Sequence, residues 1–152
     1  MQRDELTVSE CIFCKIIARE EPASIVYEDE TVISLLTINP VNPGHLMVIP
    51  KKHVVYMSEM DEDTGMHLFK IALRMQQAIR SSGVRCEGIN LFLADGKAAF
   101  QSVFHLHLHV FPRFKGDLFK INADWSVRPP RDELDDAAGK IRAAYISLWG
   151  EK

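Results

Sequence analysis

The segment Phe104-His105-Leu106-His107-Leu108-His109-Val110-Phe111-Pro112-Arg113 constrains this chain more than any other. Side chains alternate faces along a strand, so His105, His107 and His109 share one face and Leu106, Leu108 and Val110 share the other. The aliphatic face has to be a core face. Three imidazoles in a row add little to stability, because each ring nitrogen needs a partner or water. Polar groups converging on one face instead mark a site. Two chemistries use such a strand. The histidines can be ligands of a catalytic zinc with an open position. Alternatively one is a nucleophile toward phosphorus, held in the right tautomer by its neighbours. The spacing leaves both open. Gln101 and Ser102 precede the strand and supply the kind of donor that phosphate oxygens or a leaving group require.

The rest of the chain reads as α+β. Ile12 to Ala18 is a short helix or turn that follows Cys11 and carries Cys14. Ile25 to Tyr27 and Val32 to Ile38 are two strands around the polar turn Glu28-Asp29-Glu30, hence a hairpin. Asn39 to Gly44 is a loop, and His45 to Pro50 a third strand. Asp61 to Ser82 is the clearest helix, with Leu68, Ala72, Met75 and Ile79 on one stripe, an acidic first turn and Gly83 as the stop. Ile89 to Ala94 is a fourth strand closed by Asp95-Gly96. Val103 to Phe111 is a fifth, broken at Pro112. Leu134, Ala138, Ile141, Tyr145 and Leu148 make a helix over about 131–149. Strands joined mostly by short turns, with helices set apart, predict a five-stranded antiparallel sheet.

Composition removes several classes. A chain of 152 residues fits one domain, 1–152. A net charge of −3 gives no bulk electrostatic case for nucleic acid. No apolar run approaches membrane-spanning length, and Met1 to Glu10 has no apolar leader core. Three cysteines, Cys11, Cys14 and Cys86, fit a reducing compartment better than a disulfide scaffold, so a cytoplasmic protein is expected. His67 is read as an exposed helix residue and Cys86 as a small hydrophobe. Cys11-x-x-Cys14 fits half of a structural zinc site, which needs two more ligands, or a redox pair, although no βαβ pattern surrounds it.

Three stretches together resemble the histidine triad superfamily. The first is Gln101 to Val110, similar to the signature His-φ-His-φ-His-φ-φ with φ apolar. The second is Ile38-Asn39-Pro40-Val41-Asn42-Pro43-Gly44-His45 through His53, and the third Cys11-Ile12-Phe13-Cys14 through Ile17. The resemblance covers about 11–113. It implies that His107 is the nucleophile, that His109 and His45 orient it, and that Gln101 and Ser102 meet phosphates and leaving group. It implies that Ile12, Phe13, Leu35 and Leu36 wall a nucleoside pocket, which from periodicity alone would be plain core. It completes a structural zinc site from Cys11, Cys14, His53 and His105. It also implies a homodimer whose sheets join.

Three positions depart from the family's pattern. Thr37 stands where an Asp or Asn usually binds the ribose hydroxyls, Ala94 where many members have Asn, and Phe100 where many have Gly. Phe100 is expected to narrow the space beside Gln101. The expected activity is hydrolysis or nucleotidyl transfer at the α-phosphate of a nucleotide conjugate, a phosphoramidate, an acyl-adenylate or a dinucleoside polyphosphate, and the expected ligand is a purine nucleotide or nucleotide conjugate. A nucleotide-binding or scaffold protein with little turnover and a zinc-dependent hydrolase are the alternatives.

Overall fold

The computed structural model describes residues 10–150. Apart from Glu10, the N-terminal stretch in which no leader core was read lies outside them. By backbone contacts the chain divides into two compact units, Met1–Phe119 and Lys120–Lys152. In the first, helix α1 (Ile12–Ile17) precedes strands β1 (Ile25–Glu28), β2 (Val32–Leu36) and β3 (Leu46–Pro50). Helix α2 (Glu62–Ser81) then leads to β4 (Gly88–Leu93) and β5 (Leu108–Arg113). In the second unit, helix α3 spans Arg131–Trp149, and Leu134, Ile141, Tyr145 and Leu148 lie on its exposed surface.

The five strands form one sheet in the order β1-β2-β3-β5-β4, every neighbouring pair antiparallel. β3 and β4 therefore run the same way, α2 crosses between them, and β5 returns into the gap. α2 starts where the chain supplies a cap: the Asp61 carboxylate accepts the Thr64 N–H at 2.8 Å. It stops at Gly83, whose φ of +84° ends the helical path. Leu68, Ala72, Met75 and Ile79 are buried as the stripe predicted, joined by Ile71, and pack on Val32, Leu46, Val48, Leu108 and Val110. On the other sheet face Cys11, Phe13 and Ile16 pack on Ile33, Leu35, Met47 and Ile49. Both faces of β3 are thus covered, which is why all five of its residues are buried.

Three expectations change. The fifth strand begins at Leu108, not Val103, because β3 pairs with β5 only as far as Leu108 and the chain before it turns away to other partners. It also does not break at Pro112, which stays in the ladder opposite Ile89. The Pro112 carbonyl accepts the Asn42 side-chain amide at 2.9 Å, on the side beyond the end of β3. The nitrogen of a strand residue faces the same side as its carbonyl, so the missing N–H costs no ladder bond. His67 is also corrected. It is half-buried, and its Nε2 lies 2.7 Å from the Asp29 carboxylate, tying α2 to the β1–β2 turn.

The turn into β3 depends on Gly44. Its φ is +90°, and a Cβ there would meet Val84 Cγ1 at 2.9 Å. Gly44→Ala should therefore lower the unfolding free energy by about 1–3 kcal/mol. Urea denaturation reads this as a lower midpoint at unchanged slope. A wild-type midpoint would mean that the turn relaxes freely.

Candidate functional site

The site lies on the α1 face of the sheet. Only His109 of the three histidines is in the strand itself, opposite Met47 and Phe92. His105 and His107 occupy the extended segment before β5, which is held by Leu106 N–H on the Val54 carbonyl at 2.7 Å. His105 and His107 are both buried, as are Leu106 and Leu108. The segment therefore has no wet face, and each imidazole must be satisfied from within.

Backbone groups decide the tautomers, because a carbonyl can only accept and an amide N–H can only donate. The His105 Nε2–H donates to the Pro50 carbonyl at 2.8 Å, leaving the Nδ1 lone pair free. The His107 Nδ1–H donates to the His105 carbonyl at 2.7 Å, leaving the Nε2 lone pair free. The Val41 N–H donates to His45 Nδ1 at 3.0 Å, so the His45 proton sits on Nε2 and is donated to His109 Nδ1 at 2.9 Å. His109 in turn carries its proton on Nε2. The rings of His107 and His109 are 4.7 Å apart, edge to face. The structure thus brings a ring with a free lone pair beside a ring with a free N–H.

Burial keeps these rings neutral. It pushes His45 down to about 4. His109 goes down to about 3 by burial, with His107 and His45 adding to it. His107 is lowered by burial and partly restored by its bond to the His105 carbonyl.

Cys11, Cys14, His53 and His105 form a second cluster, their ligand atoms all within 4.8 Å of one another. His105 Nδ1 lies 3.4 Å from Cys11 Sγ and 3.6 Å from Cys14 Sγ, and His53 Nδ1 3.2 Å from Cys14 Sγ. A tetrahedron with zinc bonds of about 2.0–2.3 Å has edges of about 3.3–3.8 Å. The donor set and its spacing therefore fit a four-coordinate soft metal site, and the free lone pair of His105 faces the two thiols.

A cavity of about 800 Å³ lies on this face of the sheet, lined by Ile12, Phe13, Leu35, Leu36, Thr37, Met47 and Val103 among others and by none of the histidines. All four apolar residues read from the sequence as pocket walls lie on it, and so does Thr37. Phe13 joins it to the triad, its ring 5.1 Å from that of His107. Gln101 is buried and differently engaged. Its Oε1 accepts the Gly96 N–H at 2.8 Å, and its amide hydrogens go to the Val55 and Val103 carbonyls at 2.9 and 3.3 Å. It braces the loop, with no amide hydrogen left for a phosphate; Ser102 beside it is exposed. Phe100 is 84% exposed with φ +68°, so its ring stands in solvent and does not narrow the site as expected. That left-handed backbone is where glycine costs least. Ala94 is buried.

Sequence reasoning missed Asn42, Arg113 and Asp117. Asn42 Nδ2 reaches Asp117 Oδ2 at 2.9 Å, and Arg113 grips the same carboxylate at 2.6 and 2.8 Å. The available signal was an Arg closing the histidine strand with an acid four residues on.

Residues 18–116 match the family model of the HIT domain. "Protein hit" of Bacillus subtilis is 43% identical over 110 residues, 72% of this chain and 75% of that protein. Adenylylsulfatase HINT3 of Arabidopsis thaliana is 32% identical over 134 residues, 88% of this chain and 66% of that one. A zinc-bound histidine triad family protein from Mycobacterium smegmatis superposes with a TM-score of 0.71 at 38% identity, over 91% of this chain and 99% of that chain.

The neutral rings set a pH dependence. An unfolded histidine titrates near 6.5, whereas folded His45 and His109 titrate near 4 and 3. Between those limits the unfolded chain binds protons that the folded one refuses, so stability falls as pH falls through the window. Urea midpoints should decline steadily from pH 6.5 to about 5.5, where ordinary carboxylates are still almost fully ionised. A flat profile there would show that the rings are not held neutral.

Proposed function

Because this chain belongs to the HIT domain family, whose members bind nucleotides, we propose that it hydrolyses or transfers at the α-phosphate of a purine nucleotide conjugate through a covalent nucleotidyl-histidine on His107. One observation supports this above the rest: the 2.7 Å bond from His107 Nδ1–H to the His105 carbonyl, which leaves Nε2 as a neutral nucleophile. The nucleoside lies in the cavity between α1 and β2, the base against Ile12, Phe13, Leu35 and Leu36 and the ribose near Thr37. The His107 nitrogen forms a bond to phosphorus as the leaving group departs with its bonding pair. The His109 Nε2–H, set through His45, donates to a phosphate oxygen, with Ser102 at the leaving-group side. Water then displaces the histidine nitrogen and releases the nucleoside monophosphate. The substrates we favour are phosphoramidates, acyl-adenylates and dinucleoside polyphosphates.

Cys11, Cys14, His53 and His105 hold zinc in this reading, in a structural role. With four protein ligands the metal has no position left for substrate and supplies cross-linking rather than chemistry. The protein works as a homodimer in the cytoplasm. The outer edge of β4 carries Leu91 and Phe92 at the surface and ends the sheet, which suits pairing with a second copy. No helix among the described residues is long and apolar enough to cross a membrane.

Two experiments test these assignments. Intact-mass analysis after acid quench with adenosine 5′-phosphoramidate should show a nucleotidyl adduct mapping to His107. His107→Ala should lose the adduct and turnover while still binding AMP. Full turnover by His107→Ala would end the proposal. Elemental analysis of protein made in zinc-replete medium should find about one zinc per chain. Cys14→Ser should lower zinc content and thermal stability together. Metal-free wild type would remove the site.

A further inference from the structure

The segment just after β5 has no part in the chemistry above, yet it carries a carboxylate that accepts four hydrogen bonds. The Asp117 side chain is only 3% exposed. It takes Arg113 Nε at 2.6 Å and a terminal Arg113 nitrogen at 2.8 Å, a two-pronged grip. It also accepts the Asn42 amide at 2.9 Å and the Phe114 N–H at 3.3 Å. The Arg113 guanidinium, with Asn42 and Phe114 behind it, holds the carboxyl far below the usual range. Arg113 is itself fixed by Asn90 Oδ1 at 2.6 Å and the Phe119 carbonyl at 2.9 Å.

Asn42 carries this rigidity into the site. It is buried, and its amide hydrogens go to Asp117 and to the Pro112 carbonyl, both at 2.9 Å. Its own carbonyl accepts the His45 N–H at 3.1 Å. Its neighbour Val41 provides the N–H that selects the His45 tautomer. A parallel route runs through rings: Phe119 on Phe111 at 5.1 Å, and Phe111 on His45 at 4.9 Å. The loop that dictates where His45 and His109 keep their protons is therefore moored to residues 113–119. An arginine–carboxylate pair needs no third partner for its own sake, but Asn42 needs both acceptors to hold the loop down.

We propose that Asp117 is a positioning residue that acts through Asn42 and His45 to keep the proton of His109 on Nε2. The proposal rests on the reading that His109 serves His107 during phosphate transfer. It assigns the fixed point of the site to a carboxylate that touches no substrate.

The test uses the full chain with two variants, Asp117→Ala and Asn42→Ala. The second leaves the Arg113–Asp117 pair intact, so it separates loss of mooring from loss of fold. Long-range proton–nitrogen NMR at pH 7 reports ring tautomers without substrate. Wild type should show His45 and His109 protonated on Nε2, and both variants should show the two His109 nitrogens averaging. With adenosine 5′-phosphoramidate, kcat should fall about 10- to 100-fold. KM should stay within about twofold, because a positioning loss acts in the transition state. The double variant should be no slower than the worse single one, because both lie on one chain of contacts. Unchanged tautomers in both variants, losses that multiply, or a rise in KM at intact kcat would each overturn the proposal. If wild type does not turn over, the reading of the activity fails, and the tautomer measurement alone decides whether Asp117 holds the loop.

Discussion

A buried imidazole has to be satisfied at both nitrogens without becoming charged, and the α1 face of this sheet is organised around doing so for several rings at once. Bonding one nitrogen to the backbone is the economical solution, because a carbonyl or amide cannot change its role. His105 and His107 each spend one N–H on a carbonyl, and His45 accepts one amide. Every choice fixes the character of the opposite nitrogen. The result is three different chemical surfaces from one residue type: a lone pair toward thiols on His105, a second free lone pair on His107, and an N–H on His109 in the ring beside it. The fold's contribution is to bring the right backbone group to each ring. That explains why the chain leaves the ladder before Leu108. A strand that stayed paired would spend the His105 carbonyl on a neighbouring strand instead of on His107.

Most of the architecture was legible from the sequence because its signals are local. Asp61 caps α2, Gly83 ends it, and the aliphatic stripe between them has one period. The hairpin of β1 and β2 announces itself by Asp29, whose carboxylate takes the Thr31 and Val32 amides at 2.8 Å. The start of β5 was not legible, because alternation belongs to any extended chain, paired or not. The fate of Pro112 depended on how far β3 reaches, which no local pattern records. The proximity of the triad was legible from spacing, whereas the role of Gln101 was not. A glutamine beside a phosphate site and a glutamine bracing a loop look identical until Gly96, Val55 and Val103 close around it. His67 was misread for the same reason: its partner lies in a distant hairpin.

α1 shows how closely the two halves of the site depend on each other. Six residues make fewer than two turns, too short to be helical by propensity. Phe13 and Ile16, buried against Ile33, Leu35, Met47 and Ile49, hold it on the sheet. Cys11 at its N-cap and Cys14 within it tie it to His53 and His105. The same helix lends Ile12, Phe13 and Ile16 to the cavity. Phe13 sits between the halves, its ring 5.8 Å from that of His105 and 5.1 Å from that of His107. Anything that frees α1 from the cysteine–histidine cluster therefore removes a cavity wall and the aromatic edge against His107 together. The cluster can be chemically inert and still be required for the site to exist, because the wall it secures is too small to hold itself.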